Sequence, residues 1–482
     1  MKGLEPTTPP HGSAFDPVES TLGYWKYFAN LAELWWSRHG GVPAEGIARA
    51  RLAELVAFAR ERSPFYRRRY AALPAAIAST SLLPPVTRAE LMDGFDDVCT
   101  DRAVRRADVE RFVADRGAVG RLFLGRYPVW KSSGTSGTPG IFVQDAQAMA
   151  AYEALVAAQL EWAPVDPARF VAGGGRSALV IATGDHYASI TAWERVRRAF
   201  PAATARSFPV LAPLAELVGE LNRFQPAHLA SYPSVLALLA AEQRAGRLAI
   251  APALAWSGGE TLTPRMHEAI EQAFGCPVIN EYGSSECLAI AHGCRERWLH
   301  VNAEWVILEP VDAAGRPIAP GETSHTVLVT NLANRVQPIL RYDLGDRVTL
   351  AAGPCACGNP LPAFRVAGRS GATLAFRAAD GSTVPVPPLA LETAAEIVAR
   401  GARFQLVRIA PDRLAVRVDP EAARAGGAGR RIVAAIRQYL AAQSLANVSV
   451  TLSREAPRVD RASGKLASVT VEAPCPPTSV RA

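Results

Sequence analysis

Lysine is nearly absent from this chain. Of its 52 lysines and arginines only four are lysine: Lys2, Lys26, Lys131 and Lys465. An ammonium is a compact point charge on a flexible stem, whereas a guanidinium is a broad planar fork. Each lysine kept is therefore a candidate for a place where arginine would not serve, chance survival of a codon being the alternative, and Lys465 is the only one after Lys131. Cysteine is scarce as well. Seven of them in 482 residues, an odd number thinly spread, exclude a disulfide framework. No apolar run reaches the roughly 18–20 residues a membrane span needs, and the opening MKGLEPTTPPHGSAFDPVES lacks the apolar core of an export signal. A net charge of +7 is too small to argue for nucleic acid. These absences leave a cytoplasmic enzyme with neither a nucleic-acid nor a membrane partner as the expectation.

With 49% hydrophobic and 20% charged residues, the chain is long enough for two or three cores. Its charge is unevenly placed. Residues 372–482 hold 15 basic and 9 acidic side chains, whereas the preceding 371 are nearly balanced. The last quarter reads as a separate basic module, suited to an anionic ligand or simply solvated.

Residues 1–18 read as a Pro-rich disordered leader. Helical stretches follow, with Leu52, Leu55, Val56 and Ala59 at helical spacing. Trp25, Trp35 and Trp36 read as core or interface packing, and a homodimer through these helices is one such interface. From about 125 to 330, short β-rich runs such as ALVIATG, ALAWSGGE and PVINEYG alternate with helical patterns. That alternation predicts an α/β layered domain whose loops gather at the strand ends. Residues 301–365 read as a β-rich subdomain. The Gly- and Pro-rich stretch from 353 to 374 has a linker's composition. Residues 370–482 then read as a small α+β lid domain, with paired strands around Pro411-Asp412-Arg413 and an amphipathic helix over 427–445.

Five short motifs share the theme of a nucleotide. Lys131-Ser132-Ser133-Gly134-Thr135-Ser136-Gly137-Thr138-Pro139-Gly140 is rich in small donors that can face phosphate oxygens, although taken alone it fits a flexible surface loop equally well. It is no Walker A sequence. In Asn280-Glu-Tyr-Gly-Ser-Ser-Glu286, Tyr282 offers a ring to a base and Glu286 a carboxylate to Mg²⁺. Arg341-Tyr-Asp-Leu-Gly-Asp346 places a carboxylate on a tight turn where ribose hydroxyls could donate, and Gly368-Arg369 and Arg461-Ala-Ser-Gly-Lys465 complete the set.

In order and spacing these motifs resemble the adenylate-forming superfamily of acyl-CoA synthetases, most closely its phenylacetate–CoA ligase-like branch, from about residue 45 to 470. Ser63-Pro-Phe-Tyr66 is also typical of that branch. The resemblance implies a large N-terminal adenylation domain of several subdomains over 19–369 and a small mobile lid over 370–482. It implies that Ser132, Ser133, Gly134, Thr135, Ser136 and Gly137 form the phosphate loop and that Gly258, Gly259 and Glu260 form the adenine-side loop. Tyr282, Gly283, Ser285 and Glu286 carry the tyrosine that packs on adenine and the glutamate that binds magnesium. Asp346 holds the ribose, Arg369 precedes the hinge, and Lys465 is the catalytic lysine of adenylation. The sequence departs from the pattern at Thr138, where many relatives have lysine, at Gly371 and Ala372, where an acidic pair is common, and at Ser285, usually threonine. The implied reaction is ATP-dependent activation of an aryl or arylalkyl acid through an acyl-adenylate, then thioester formation with CoA. The alternative passes the acyl group to a carrier-protein thiol or an amine. The acid is expected near His186, Tyr187 and Gly258.

Cys294, His300, Cys355 and Cys357 offer three thiolates and an imidazole, a donor set for structural Zn²⁺. A turn with free buried thiols reads equally from the spacing, and His292 is a rival ligand. Cys99, Cys276, Cys287 and Cys475 read as packing.

Overall fold

In the computed structural model the described residues are 17–132, 140–197, 203–367, 374–420, 427–458 and 466–472, the first eight through their backbone alone. The chain opens with two helices, Pro17–Arg38 and Ala44–Arg62. Leu52, Leu55, Val56 and Ala59 form the buried stripe of the second. Ser63 ends that helix and caps the next, Pro64–Arg69, by accepting from the Tyr66 amide, while its own hydroxyl donates to the Asp97 carbonyl at 2.7 Å. The Ser-Pro pair does two jobs: Pro64 begins a helix where its missing N–H costs nothing, and the serine satisfies a free amide there. The first helix begins at Pro17, within the stretch expected to be a leader. Trp25, Trp35 and Trp36 are 71%, 57% and 61% exposed, so they do not form a core.

A nine-stranded mixed sheet forms the centre. Its parallel half runs in the spatial order Ala205–Pro209, Ser177–Ile181, His228–Ser231, Leu254–Gly258, Val278–Tyr282. These strands are short, and the crossover helices Leu214–Phe224, Pro233–Arg244 and Pro264–Phe274 bury them as a doubly wound sheet requires. The chain leaves Ser177–Ile181 for the outer edge and returns on its other side at His228–Ser231, so the order reverses between these two strands. Such a reversal opens a crevice at the carboxyl ends of the strands. Beyond Val278–Tyr282 the sheet turns antiparallel through Ala291–Gly293, Leu299–Val301, Ala363–Val366 and Val348–Leu350.

Two expectations change here. Residues 301–365 are not one β-rich unit: Val306–Val311, Thr326–Asn331 and Ile339–Asp343 make a separate three-stranded antiparallel sheet, while the later strands join the central one. The apparent linker contains Ala363–Val366, an inner strand of that sheet. Four residues are too few to show a period beside so much glycine and proline, so only its partners reveal it.

The C-terminal region is α+β. A hairpin of Leu374–Arg377 and Thr383–Val386 precedes the helix Pro388–Ala399. A four-stranded sheet then pairs Phe404–Ala410 with Arg413–Val418, flanked by Val469–Val471 and Ser449–Leu452, and covered by the helix Ala428–Ala442. Its apolar side chains share one cluster with the crossover helices of the central sheet. Among the described residues no helix is long and apolar enough to cross a membrane.

The N-terminal helix is tied to the body by charge. Arg38 Nε lies 2.9 Å from Glu304 Oε1 and both side chains are 0% exposed; Arg38 also reaches Asn302 Oδ1 at 3.4 Å. Removing one partner of such a pair strands the other without water. Glu304→Gln should therefore destabilise the protein by about 3–5 kcal/mol in urea denaturation; a loss below about 1 kcal/mol would show the pair to be dispensable.

Candidate active site and metal centre

The strands Val129–Lys131 and Ile141–Val143 pair antiparallel on either side of the Ser- and Gly-rich loop. Ser132 closes its neck twice, donating from its amide to the Gly140 carbonyl at 2.8 Å and accepting from the Gly140 amide on Oγ at 2.9 Å. Ser133, Gly134, Thr135, Ser136, Gly137 and Thr138 lie outside the described residues, as do Arg369, Gly371, Ala372 and Lys465.

The other nucleotide motifs converge at the carboxyl end of Val278–Tyr282. Tyr282 donates its hydroxyl to Asp346 Oδ2 at 2.8 Å, and Tyr342 donates to Glu286 Oε1 at 2.6 Å. Burial first, then the Glu286 charge, pushes the Tyr342 hydroxyl above the ordinary phenol range, so it stays protonated and donates. Glu286 is buried, with Arg88 Nη2 at 3.8 Å, and its backbone carbonyl accepts from Asn331 Nδ2 at 3.1 Å. Trp130 Nε1 holds the Ser285 carbonyl at 2.7 Å. A side chain at Gly283 would run into the Leu288 carbonyl oxygen, so this turn accepts glycine alone. Arg341 sits in the left-handed region at φ 51°, clamped by Val86, which donates to its carbonyl at 3.0 Å and accepts from Asp343 at 2.9 Å. The clamp directs Tyr342 inward to Glu286.

The loop expected on the adenine side, Gly258 to Glu260, follows the neighbouring strand. Gly259 takes φ 81°, and a β-carbon there would lie 3.1 Å from the Tyr232 ring. Glu260 accepts from the Ser234 amide at 3.0 Å, and burial pushes its carboxyl upward. The glutamate thus caps the helix Pro233–Arg244 from below.

Of the residues expected near the acid, His186 is 0% exposed. Its Nε2 lies 2.9 Å from the Asp115 carbonyl and its ring packs on Phe112, so it offers a substrate no surface. Tyr187 reaches the C-terminal region, donating to Glu396 Oε2 at 3.2 Å. Beside it Lys131 Nζ pairs with Asp185 Oδ2 at 2.6 Å. These groups, with Ser132, Arg116 and Arg400, line a cavity of about 240 Å³ where the C-terminal region meets the sheet.

A recess opens on one face of the parallel strands. Leu179, Ile181, Ile190 and Ala230 form its apolar base, and Val119, Tyr187, Trp193, Tyr232 and Trp256 pack on it without being fully buried. Gly258 lies opposite Glu281 in the ladder and Ala230 opposite Trp256, which places these residues on that face. Trp256 Nε1 donates to Glu281 Oε2 at 2.9 Å. Burial pushes the Glu281 carboxyl up to about 7, against the opposing pull of the Trp256 donor. Trp193 carried no signal in the sequence, and Glu281, although inside the Asn280–Glu286 motif, gave no sign of being a pocket residue, because no spacing links the two elements.

At the other end of the sheet Cys294, His300, Cys355 and Cys357 bring their donor atoms within 4.8 Å of one another. Cys294 Sγ lies 3.7 Å from Cys355 Sγ, and Cys357 Sγ lies 3.3 Å from His300 Nε2. A tetrahedron with Zn–S bonds of about 2.3 Å has S···S edges of about 3.8 Å, so the donors are already set for a closed zinc site. His300 Nδ1 faces the Leu361 carbonyl at 2.9 Å, which turns Nε2 toward the thiols. His292 is engaged elsewhere, with Asn302 at 2.9 Å and Asn359 at 3.1 Å, and is therefore no ligand.

The described residues form a mixed α/β unit with a docked α+β module. Residues 132–338 match the family described as AMP-binding enzyme. The chain is 32% identical over 135 residues to the protein CapK of Staphylococcus aureus, 28% of this chain and 28% of that protein. It is 25% identical over 321 residues to a phenylacetate–coenzyme A ligase of Thermus thermophilus, 64% of this chain and 66% of the relative. The matched segments thus span less than two thirds of either curated relative. Among solved structures, a 2-hydroxyisobutyryl-CoA ligase with its acyl-adenylate and CoA aligns at a TM-score of 0.56 and 20% identity, over 90% of this chain and 91% of its own. Over these segments the chain is similar to AMP-binding enzymes, and its fold is that of an acyl-CoA ligase.

Two measurements test this geometry. Metal analysis of protein purified without chelator should give one zinc per chain, lost in Cys357→Ser at a cost above about 4 kcal/mol; metal-free wild type with unchanged stability would refute the centre. Between its ordinary value and about 7 the folded state holds a proton on Glu281 that the unfolded state has released. Stability should therefore fall as pH rises through that window, by on the order of 3 kcal/mol. Glu281→Gln should flatten the decline in urea titrations, and an unaltered slope would contradict the assignment.

Proposed function

We propose that the protein activates a carboxylic acid with ATP, forming an acyl-adenylate and pyrophosphate, and then transfers the acyl group to the thiol of CoA. The acid is an aryl or arylalkyl acid. The observation carrying this reading is the meeting of Glu286, Tyr342, Tyr282 and Asp346 at the carboxyl ends of the parallel strands. A carboxylate resists acyl transfer because its oxygen is a poor leaving group; attack on the α-phosphate makes AMP the leaving group instead. Two anions must then approach, and at 4 Å they repel by about 1 kcal/mol in water and several times that in a protein.

In this reading Lys465 bridges carboxylate and phosphate, and the hydroxyls and amides of Ser132 to Gly137 hold the outgoing pyrophosphate. Asp346 accepts from the ribose and Tyr282 packs on adenine. Glu286 would hold Mg²⁺, whose charge offsets that of the triphosphate. Tyr342 orients the Glu286 carboxyl, and the buried site keeps water from the reactive anhydride. The aromatic walls of the recess support an aromatic acid, and the basic last quarter supports a phosphorylated acceptor such as CoA. A chain of scattered cysteines outside the metal cluster suits the reducing cytoplasm.

Lys465→Ala should slow acid-dependent pyrophosphate exchange by ~10²-fold or more while thioester formation from supplied acyl-adenylate survives. Normal exchange in that variant would remove lysine from the mechanism. Running the same reaction with hydroxylamine and then with CoA separates the acceptors: hydroxamate without CoA thioester would favour a carrier-protein thiol or an amine.

A further inference from the structure

We infer that Glu281 determines acid specificity, and that the acid admitted carries a second polar group, an amine or a hydroxyl, which donates a hydrogen bond to it. The inference rests on the acid-activating reading and names the substrate class within it. Glu281 is the last residue but one of its strand, directly before the tyrosine that meets Asp346. Its side chain shares a sheet face with Trp256 and lies opposite Gly258, which has no side chain to cover it. It therefore stands where the aromatic recess meets the nucleotide motifs.

The electrostatics there are unbalanced. A carboxyl offers two oxygens to donors, and here, among the described residues, the neutral Trp256 Nε1–H is the donor within hydrogen-bond distance. Among the described residues no arginine, lysine or histidine lies within ion-pair distance of it. The surroundings are aromatic and aliphatic, yet Glu281 keeps some accessible surface, so it borders open space and is not sealed in packing. A carboxyl in such a place costs desolvation that leucine would avoid. A donor on the bound acid, neutral or cationic, offsets that cost and completes the hydrogen-bond set. Trp256 fixes the carboxyl's orientation, leaving its other edge for the ligand. Sites of this kind reject analogues lacking the donor far more strongly than an apolar pocket rejects a missing methylene.

The test uses the full chain and matched acids: benzoate with 3- and 4-aminobenzoate, and phenylacetate with its 4-amino and 4-hydroxy forms. Two readouts run in parallel, acid-dependent pyrophosphate release and the shift in thermal midpoint on adding acid, which needs no turnover. Wild type should favour at least one donor-bearing acid over its parent by about tenfold or more in kcat/KM, with a matching selective thermal shift. Glu281→Leu should bring both preferences to parity or invert them, and Glu281→Gln should keep recognition of the hydroxyl acid. A role in folding alone would lower the midpoint of the free protein and leave the ratio between acids untouched. If Glu281→Leu does not fold, Glu281→Gln and Glu281→Met carry the comparison. Equal treatment of matched acids by wild type, or a preference that survives every replacement, overturns the inference and leaves acid activation standing. A Glu281-dependent thermal selectivity with no pyrophosphate release from any acid would instead sink the activation reading and keep Glu281 as the recognition group.

Discussion

The hydrogen bond from Tyr342 to Glu286 joins the turn after the last parallel strand to a separate three-stranded sheet. Both groups are buried, so the contact is worth more than its surface equivalent and is costly to leave unmade. Everything else in the nucleotide site is arranged around it. Val86 clamps the strained backbone at Arg341 and so aims Tyr342; Trp130 and Asn331 hold the turn that carries Glu286. The arrangement of Tyr342 and Glu286 is thus held in place by residues outside the motifs themselves.

The order of events along the chain follows from the central sheet. Its strand order reverses between Ser177–Ile181 and His228–Ser231, and the loops on either side of that reversal supply Asp185, Tyr187, Tyr232 and, one strand on, Gly258. The C-terminal region packs its helix Pro388–Ala399 against the same edge. The motif-bearing loops, the aromatic recess and the docked module therefore share one end of the sheet, whereas the cysteine and histidine cluster lies near the other edge.

Much of the site was legible because its chemistry sits in contiguous motifs. Tyr282, Glu286 and Asp346 announce themselves through glycine- and hydroxyl-rich neighbours, and the fold class follows from alternating apolar runs and helical periods. What escaped was assembled from single residues on distant elements: Tyr342 facing Glu286, Lys131 facing Asp185, Trp256 donating to Glu281. No spacing rule links them, since only tertiary packing puts them together. The strand Ala363–Val366 was hidden for a related reason, being too short for its pattern to outweigh a loop-like composition. His186 shows the converse error, because a histidine beside an aromatic motif reads as functional until its packing on Phe112 is seen.

The buried Arg38–Glu304 pair also constrains how this lineage can drift. Replacing either member first leaves its partner's charge unsolvated, so every single-step path away from the pair passes through a weakened protein. The attachment of the N-terminal helix is consequently locked historically as well as physically, and neighbouring surface positions are free to vary around a joint that is not.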